Sequence, residues 1–144
     1  MNLFDLGKYH ALVDYAHNPA GFKAIAEFIQ KWEGEAIGVI GAPGDRRDED
    51  IIELGQLAAK MFSQIFIKED KDLRGREPRV VADLLRQGIQ EVDSNIPCIT
   101  ILDEPEAVTA ALDIAPQSSL VVIFPDKVDL ALAIIESRKS KMSS

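Results

Sequence analysis

Apolar and polar positions fall into alternating blocks along these 144 residues. Short apolar runs alternate with longer segments in which apolar residues return every three or four positions. The short runs read as strands and the periodic segments as amphipathic helices. Residues 3–5 and 9–15 flank Gly7 and predict a short N-terminal hairpin that leads into the first main strand. Further strands are expected at 36–40, 64–68, 97–102 and 120–124. Asn18-Pro19 marks a helix start, with Asn18 able to cap free amides and Pro19 suited to the first turn. Phe22, Ile25, Ala26, Ile29 and Trp32 form the apolar face of that helix, and Gly34 ends it.

A second helix follows the turn 41–44, with Asp45 or Asp48 as its cap and Ile51, Leu54, Leu57, Ala58, Met61 and Phe62 on its inner face. Pro78 opens a third, carrying Val81, Leu84, Leu85 and Ile89. Asp103 and Glu106 have the spacing of a capping box for a fourth. Asp126 is the expected cap of the last, with Leu130, Ala131, Ile134 and Ile135 facing inward.

Short apolar strands separated by helices predict an α/β fold: a Rossmann-like, three-layer α/β/α domain around a mostly parallel sheet, with the hairpin at its start. The order of the strands is not contained in the pattern. The length fits one domain, assigned to residues 1–139, with 140–144 as a flexible tail. An apolar share of 47% and a charged share of 28% are those of a soluble globular chain. The net charge of −8 argues against nucleic acid as a partner, because phosphate backbones need a concentrated cationic face. No run approaches the roughly 18 apolar residues of a membrane span, and the first residues lack a basic start and apolar signal core. The single cysteine, Cys98, excludes an intrachain disulfide and reads as a strand thiol. These features predict a cytoplasmic chain with no membrane partner.

In a doubly wound sheet, ligands bind beyond the carboxyl ends of the strands. Four marked segments map there: DYAHNP at 14–19, GAPGDRRDED at 41–50, KEDKDLRGREPR at 68–79 and FPDK at 124–127. His17 could stack on a base or bond within its turn, and Asn18 could read a ring edge or cap the helix. Gly41, Gly44 and the following helix terminus could form an anion site, with Asp45 for ribose hydroxyls and Arg46 and Arg47 for phosphate or carboxylate, or simply a polar strand–helix turn whose acids suit the helix dipole. The segment is neither GxGxxG nor a Walker loop. In the third segment Glu69, Asp70 and Asp72 could receive guanidinium or ammonium groups. Arg74, Arg76 and Arg79 could clamp carboxylates; mutual salt bridges in an exposed loop are the other reading. Lys127 could meet a phosphate or stay solvated. His10 falls at the opposite edge from His17, so no metal site is assigned. No catalytic residue is assigned either.

The ordered trio VDYAHNPAGF, GAPGDRRDED and IKEDKDLRGREP resembles the C-terminal domain of cyanophycin synthetases. More distantly it is similar to murein peptide ligases and folylpolyglutamate synthetases, the Mur ligase C-terminal domain family. The resemblance runs over essentially the whole chain. It implies a Rossmann-like domain working beside a P-loop ATPase domain, with ATP and Mg as cofactors of the full enzyme. It implies addition of arginine to an aspartate side-chain carboxylate through an acyl phosphate. Carried over residue by residue, it implies base contacts for His17 and Asn18, ribose contact for Asp45 and a place on the nucleotide rim for Arg46. It implies contacts to arginine or an Asp-Arg peptide for Glu69, Asp70, Asp72 and Arg74.

The murein-ligase D-N-P-R motif reads EDKDLRG here, and Phe124-Pro125-Asp126-Lys127 replaces its later Lys-Gly-His. No GxxxxGK[ST] segment is present, so the phosphate grip and magnesium ligands lie outside these residues and the chain alone is expected to be silent. Two functions are therefore expected. One is a substrate- and nucleotide-binding module of an ATP-dependent amide ligase, partnered by an ATPase domain or its own copies. The other is a stand-alone, non-enzymatic binding or regulatory domain for a nucleotide, an Asp-Arg peptide or a protein.

Overall fold

A computed structural model describes residues 1–16 and 18–142. The elements follow in the order β1 (Asn2–Asp5), β2 (His10–Val13), α1 (Pro19–Gln30), β3 (Ala36–Ile40), α2 (Asp48–Met61) and β4 (Gln64–Ile67). They continue with α3 (Val80–Val92), β5 (Cys98–Thr100), α4 (Glu104–Ile114), β6 (Leu120–Ile123) and α5 (Val128–Met142). The strands join one sheet in the order β1-β2-β6-β3-β4-β5. β1 pairs antiparallel with β2 as the expected hairpin, and the other four pairings are parallel.

Crossover handedness explains the layers. The units β2-α1-β3, β3-α2-β4 and β4-α3-β5 all step toward the same edge of the sheet. Right-handed connections therefore put α1, α2 and α3 on one face. The chain then steps back from β5 to insert β6 between β2 and β3, which sends α4 to the other face, where α5 joins it. Strand side chains divide accordingly. Leu12, Ile40, Ile65, Ile67, Leu120 and Val122 pack under the three-helix layer. Ala11, Val13, Ile37, Val39, Val121 and Ile123 pack under α4 and α5. This alternation of two buried faces is why the strands read as continuous apolar runs. The edge strands are the exceptions: Leu3 of β1 is 46% exposed, and Ile99 of β5 is 43% exposed on the face that has only two helices. Among the described residues no helix is long and apolar enough to cross a membrane.

Local signals placed some helix ends and tertiary partners placed others. Asn18 caps α1 by accepting the Gly21 amide at 2.9 Å, and Asp103 caps α4 by accepting the Glu106 amide at 3.1 Å. The expected caps of α2 and α5 differ. Arg47 is the N-cap of α2 and makes no side-chain cap bond, while Asp48 is already inside the first turn. The Asp126 carboxylate accepts the Lys71 amide from a neighbouring loop at 3.2 Å, and α5 begins at Val128. α3 starts at Val80, two residues beyond Pro78, because Arg79 takes a left-handed conformation with φ 75°. α5 runs to Met142, past the expected boundary at 139; residues 143 and 144 lie outside the described residues.

α2 and α3 approach closely because each presents a glycine at their crossing. A Cβ at Gly88 would overlap the Ile52 carbonyl oxygen, and one at Gly55 would overlap the Leu85 carbonyl oxygen. Gly88→Ala should therefore destabilise the fold by about 1–3 kcal/mol through overpacking, although alanine is the better helix former. Urea denaturation checks this as a lowered midpoint at an unchanged slope.

Candidate functional site

Lys68 follows the last residue of β4, and its amide still bonds to the Ile40 carbonyl of β3. The side chain therefore enters the domain at the carboxyl edge of the sheet, where it is 1% exposed. A buried ammonium is tolerated only when paired. Lys68 Nζ lies 3.2 Å from Asp70 Oδ1 and 2.7 Å from Glu104 Oε1. Gly41 makes room for it, since a Cβ there would stand 2.9 Å from Lys68 Cε.

Glu104 opens α4 and is 7% exposed. Its Oε1 also accepts the Asp126 amide at 2.7 Å. Asp126 in turn accepts the Lys71 amide through Oδ2 and the Tyr15 hydroxyl, at 2.8 Å, through its carbonyl. One chain of polar contacts thus joins the loops after β2, β4 and β6 to the start of α4. Glu104 Oε2 is buried and, among the described residues, has no hydrogen-bond partner. Leaving such an oxygen unanswered costs about 1–3 kcal/mol.

Glu69, expected to meet substrate, is 7% exposed and has both oxygens engaged. Oε1 accepts the Arg79 amide and Oε2 the Ala82 amide, each at 3.0 Å. Glu69 thereby supplies the carboxylate that α3 lacks at its own N-cap, and closes the 69–79 loop on itself.

The loop lies on the 41–46 turn. Arg76 donates from Nε to the Gly44 carbonyl and from Nη2 to the Arg46 carbonyl, both at 2.7 Å, and pairs with Asp48 at 2.8 Å. A Cβ at Gly44 would overlap the Leu73 carbonyl oxygen. With Gly41 against Lys68, Gly44 against Leu73 and an acidic first turn of Asp48, Glu49 and Asp50 on α2, this turn is not an open phosphate cradle. Of the two readings of Gly41 and Gly44, this packing favours the polar strand–helix turn over the anion site. A hydrogen bond from Arg47 holds the Asp50 carboxyl below its usual range.

The remaining expected residues form an exposed patch above that contact. Arg74, left-handed at φ 51°, pairs with Asp72 at 3.2 Å and with Asp45 at 3.9 Å. Asp45, Arg46, Asp72 and Arg74 are all exposed, so these pairs can open for a ligand at little cost. Asn18 keeps its capping bond, and His17 lies outside the described residues. Asp70 is drawn down to Lys68. Lys68 and Glu104 were not singled out from sequence. The only local signal was a lysine directly after the apolar run QIFI, and a second acid after the Asp103 cap.

A cavity of about 40 Å³ opens beside this cluster, lined by Glu69, Lys71, Asp103, Glu104, Asp126 and Lys127 among others. It shares Lys71, Lys127 and Leu130 with a wider depression of about 570 Å³ that also includes Tyr15. Cys98 lies away from this edge on β5, and burial pushes its thiol pKa up despite the Arg86 guanidinium nearby.

Residues 1–126 match the family model described as Mur ligase, glutamate ligase domain. The chain is 52% identical over 139 residues to cyanophycin synthetase of Synechocystis sp., covering 96% of this chain and 16% of that protein. Among solved structures, a UDP-N-acetylmuramoyl-L-alanyl-D-glutamate–2,6-diaminopimelate ligase superposes with a TM-score of 0.79 at 22% identity, over 95% of this chain and 31% of that one. E. coli FolC in complex with ADP superposes with a TM-score of 0.65 at 16% identity, over 98% and 32%. These two likenesses concern the fold.

Lys68→Met leaves two carboxylates without their cation and should cost about 3–5 kcal/mol, whereas Arg74→Ala, an exposed pair, should cost about 1 kcal/mol or less. Urea denaturation of both variants checks the contrast. Because its pKa is raised, Cys98 carries less thiolate at pH 8 than a free cysteine. Iodoacetamide should alkylate it more slowly than glutathione, with the rate climbing only at more alkaline pH.

Proposed function

We propose, because the chain belongs to the Mur ligase, glutamate ligase domain family, that it is the amino-acid- and nucleotide-binding domain of an ATP-dependent amide ligase of the cyanophycin synthetase kind. The observation that carries this reading is the 52% identity to the Synechocystis protein over 139 residues. The chain spans 16% of that relative, so the activity belongs to a larger assembly. The residues present fit part of such a site. Asp45 and Arg46 are exposed beside the β3–α2 turn and suit a nucleoside, while the filled turn does not suit its phosphates. Another segment, bearing a P-loop, grips those phosphates and the magnesium.

In this reading His17 and Asn18 face the base, Asp45 the ribose and Arg46 the nucleotide rim. Asp70, Asp72 and Arg74 meet arginine or an Asp-Arg peptide, and Glu69 holds their loop in place. ATP supplies the phosphoryl group that activates an aspartate side-chain carboxylate. The residues of this chain orient the entering arginine amine and, on closing against the ATPase domain, keep water from the activated carbonyl. The amine nitrogen forms the new C–N bond, phosphate leaves with its electron pair, and the nitrogen gives up a proton. Such a domain works where ATP and free amino acids are, in the cytoplasm.

Combined with the Synechocystis enzyme from which the matching stretch has been deleted, the chain should restore arginine-dependent phosphate release, and by itself should release none. In the mixture Asp45→Ala should raise the KM for ATP about ten-fold and leave that for arginine unchanged; Asp72→Ala should do the reverse. A mixture that stays silent while the chain still binds ADP calorimetrically would shift support to a stand-alone binding domain.

A further inference from the structure

The fold leaves one acid in the small rim cavity unanswered. Of the carboxylates lining it, Glu69 has both oxygens on α3 amides, Asp103 caps α4 and Asp126 accepts the Lys71 amide. Glu104 gives Oε1 to Lys68 and to the Asp126 amide, and among the described residues its buried Oε2 receives no hydrogen bond. The local balance is also unequal, with one ammonium, Lys68, against the two carboxylates of Asp70 and Glu104. A dry carboxylate oxygen in a site of net negative charge is an acceptor for a cationic hydrogen-bond donor.

The surroundings fix the shape of that donor. Leu102, Pro105 and Leu130 add apolar walls that suit the methylenes of a linear chain. At about 40 Å³ the cavity admits a head group and not a whole molecule, so the rest of the ligand must lie in the wider depression. Lys71 and Lys127 stand where the two meet, and among the described residues neither ammonium has an ion-pair partner. Glu104 is the buried member of this lining, whereas Lys71 and Lys127 are exposed.

We propose that Glu104 is a specificity-determining residue that receives the cationic end of a linear basic amino acid, whose α-carboxylate rests at Lys71 and Lys127. This deepens the ligase reading and rests on it. It adds to the exposed Asp72–Arg74 patch a separate, deeper contact that selects for side-chain charge.

Calorimetry and amide NMR on the full chain test this with three probes. They are L-arginine, L-citrulline (the same shape without the charge) and agmatine (the same cation without the α-carboxylate). Arginine should bind and shift the Lys71 and Asp126 amides, and each analogue should bind about ten-fold or more weakly. Glu104→Gln should abolish the preference for arginine over citrulline. Glu106→Gln, which removes the same charge outside the cavity, should preserve it. Because Glu104→Gln also loosens the hold on Lys68, the ligand series on the unaltered chain stands as an independent measure. Equal affinity for citrulline overturns the assignment. So does arginine binding that shifts only residues 72–74 and is indifferent to Glu104→Gln; both outcomes leave the ligase reading intact. Absence of arginine binding to a chain that still restores turnover overturns the cavity as a site, and absence of both overturns the two proposals together.

Discussion

A buried ammonium demands carboxylates, and the way Lys68 is answered organises the whole carboxyl edge of this sheet. Its partners come from two different segments: Asp70 from the loop just after β4, and Glu104 from the first turn of α4. The second partner makes the contact structural at long range. By also accepting the Asp126 amide, Glu104 fixes the loop after β6, and Asp126 then reaches the loops after β2 and β4. Removing the ammonium would leave carboxylates in a dry site, so the rim is held by the cost of dissolving the network as much as by the strength of any one bond.

The charged loop 68–79 is two layers in one segment. Below, Lys68, Glu69 and Arg76 face inward: Glu69 caps the start of α3 and Arg76 ties the loop to the β3–α2 turn. Above, Asp72 and Arg74 pair with each other and with Asp45 in solvent, where such pairs contribute little and exchange readily. This division suits the proposed binding role. A binding rim needs side chains that can release their partners, standing on backbone that cannot move. The inward layer supplies the second condition and so frees the outward layer to supply the first.

Membership of the Mur ligase, glutamate ligase domain family underlies the binding role proposed for this rim. The β3–α2 turn resembles a phosphate loop in composition, yet its glycines serve internal packing, one passing the Lys68 stem and the other the Leu73 carbonyl. In the proposed reading the domain holds the ends of ligands, a nucleoside and an amino acid, and leaves the reacting phosphates to another segment.

The sequence by itself determined the elements and their class. Short apolar runs and period-3.6 apolar patterns report only on neighbours along the chain, and they placed the hairpin, five parallel strands and five helices, with the local caps of Asn18 and Asp103. It also determined which segments reach the carboxyl edge of the sheet, because a parallel sheet puts every strand's end on one side. Tertiary structure decided what each charge there does. Glu69 caps a helix thirteen residues away, and Arg76 grips carbonyls thirty or more residues back. Neither spacing has a local signature, since each partner is brought near by the order of strands rather than by the turn of a helix. Above all, the return of β6 to a place between β2 and β3 sent α4 to the opposite face and carried Glu104 to Lys68. Strand order is a choice among non-local pairings, which local periodicity does not encode, and the buried ion cluster exists only because of that choice.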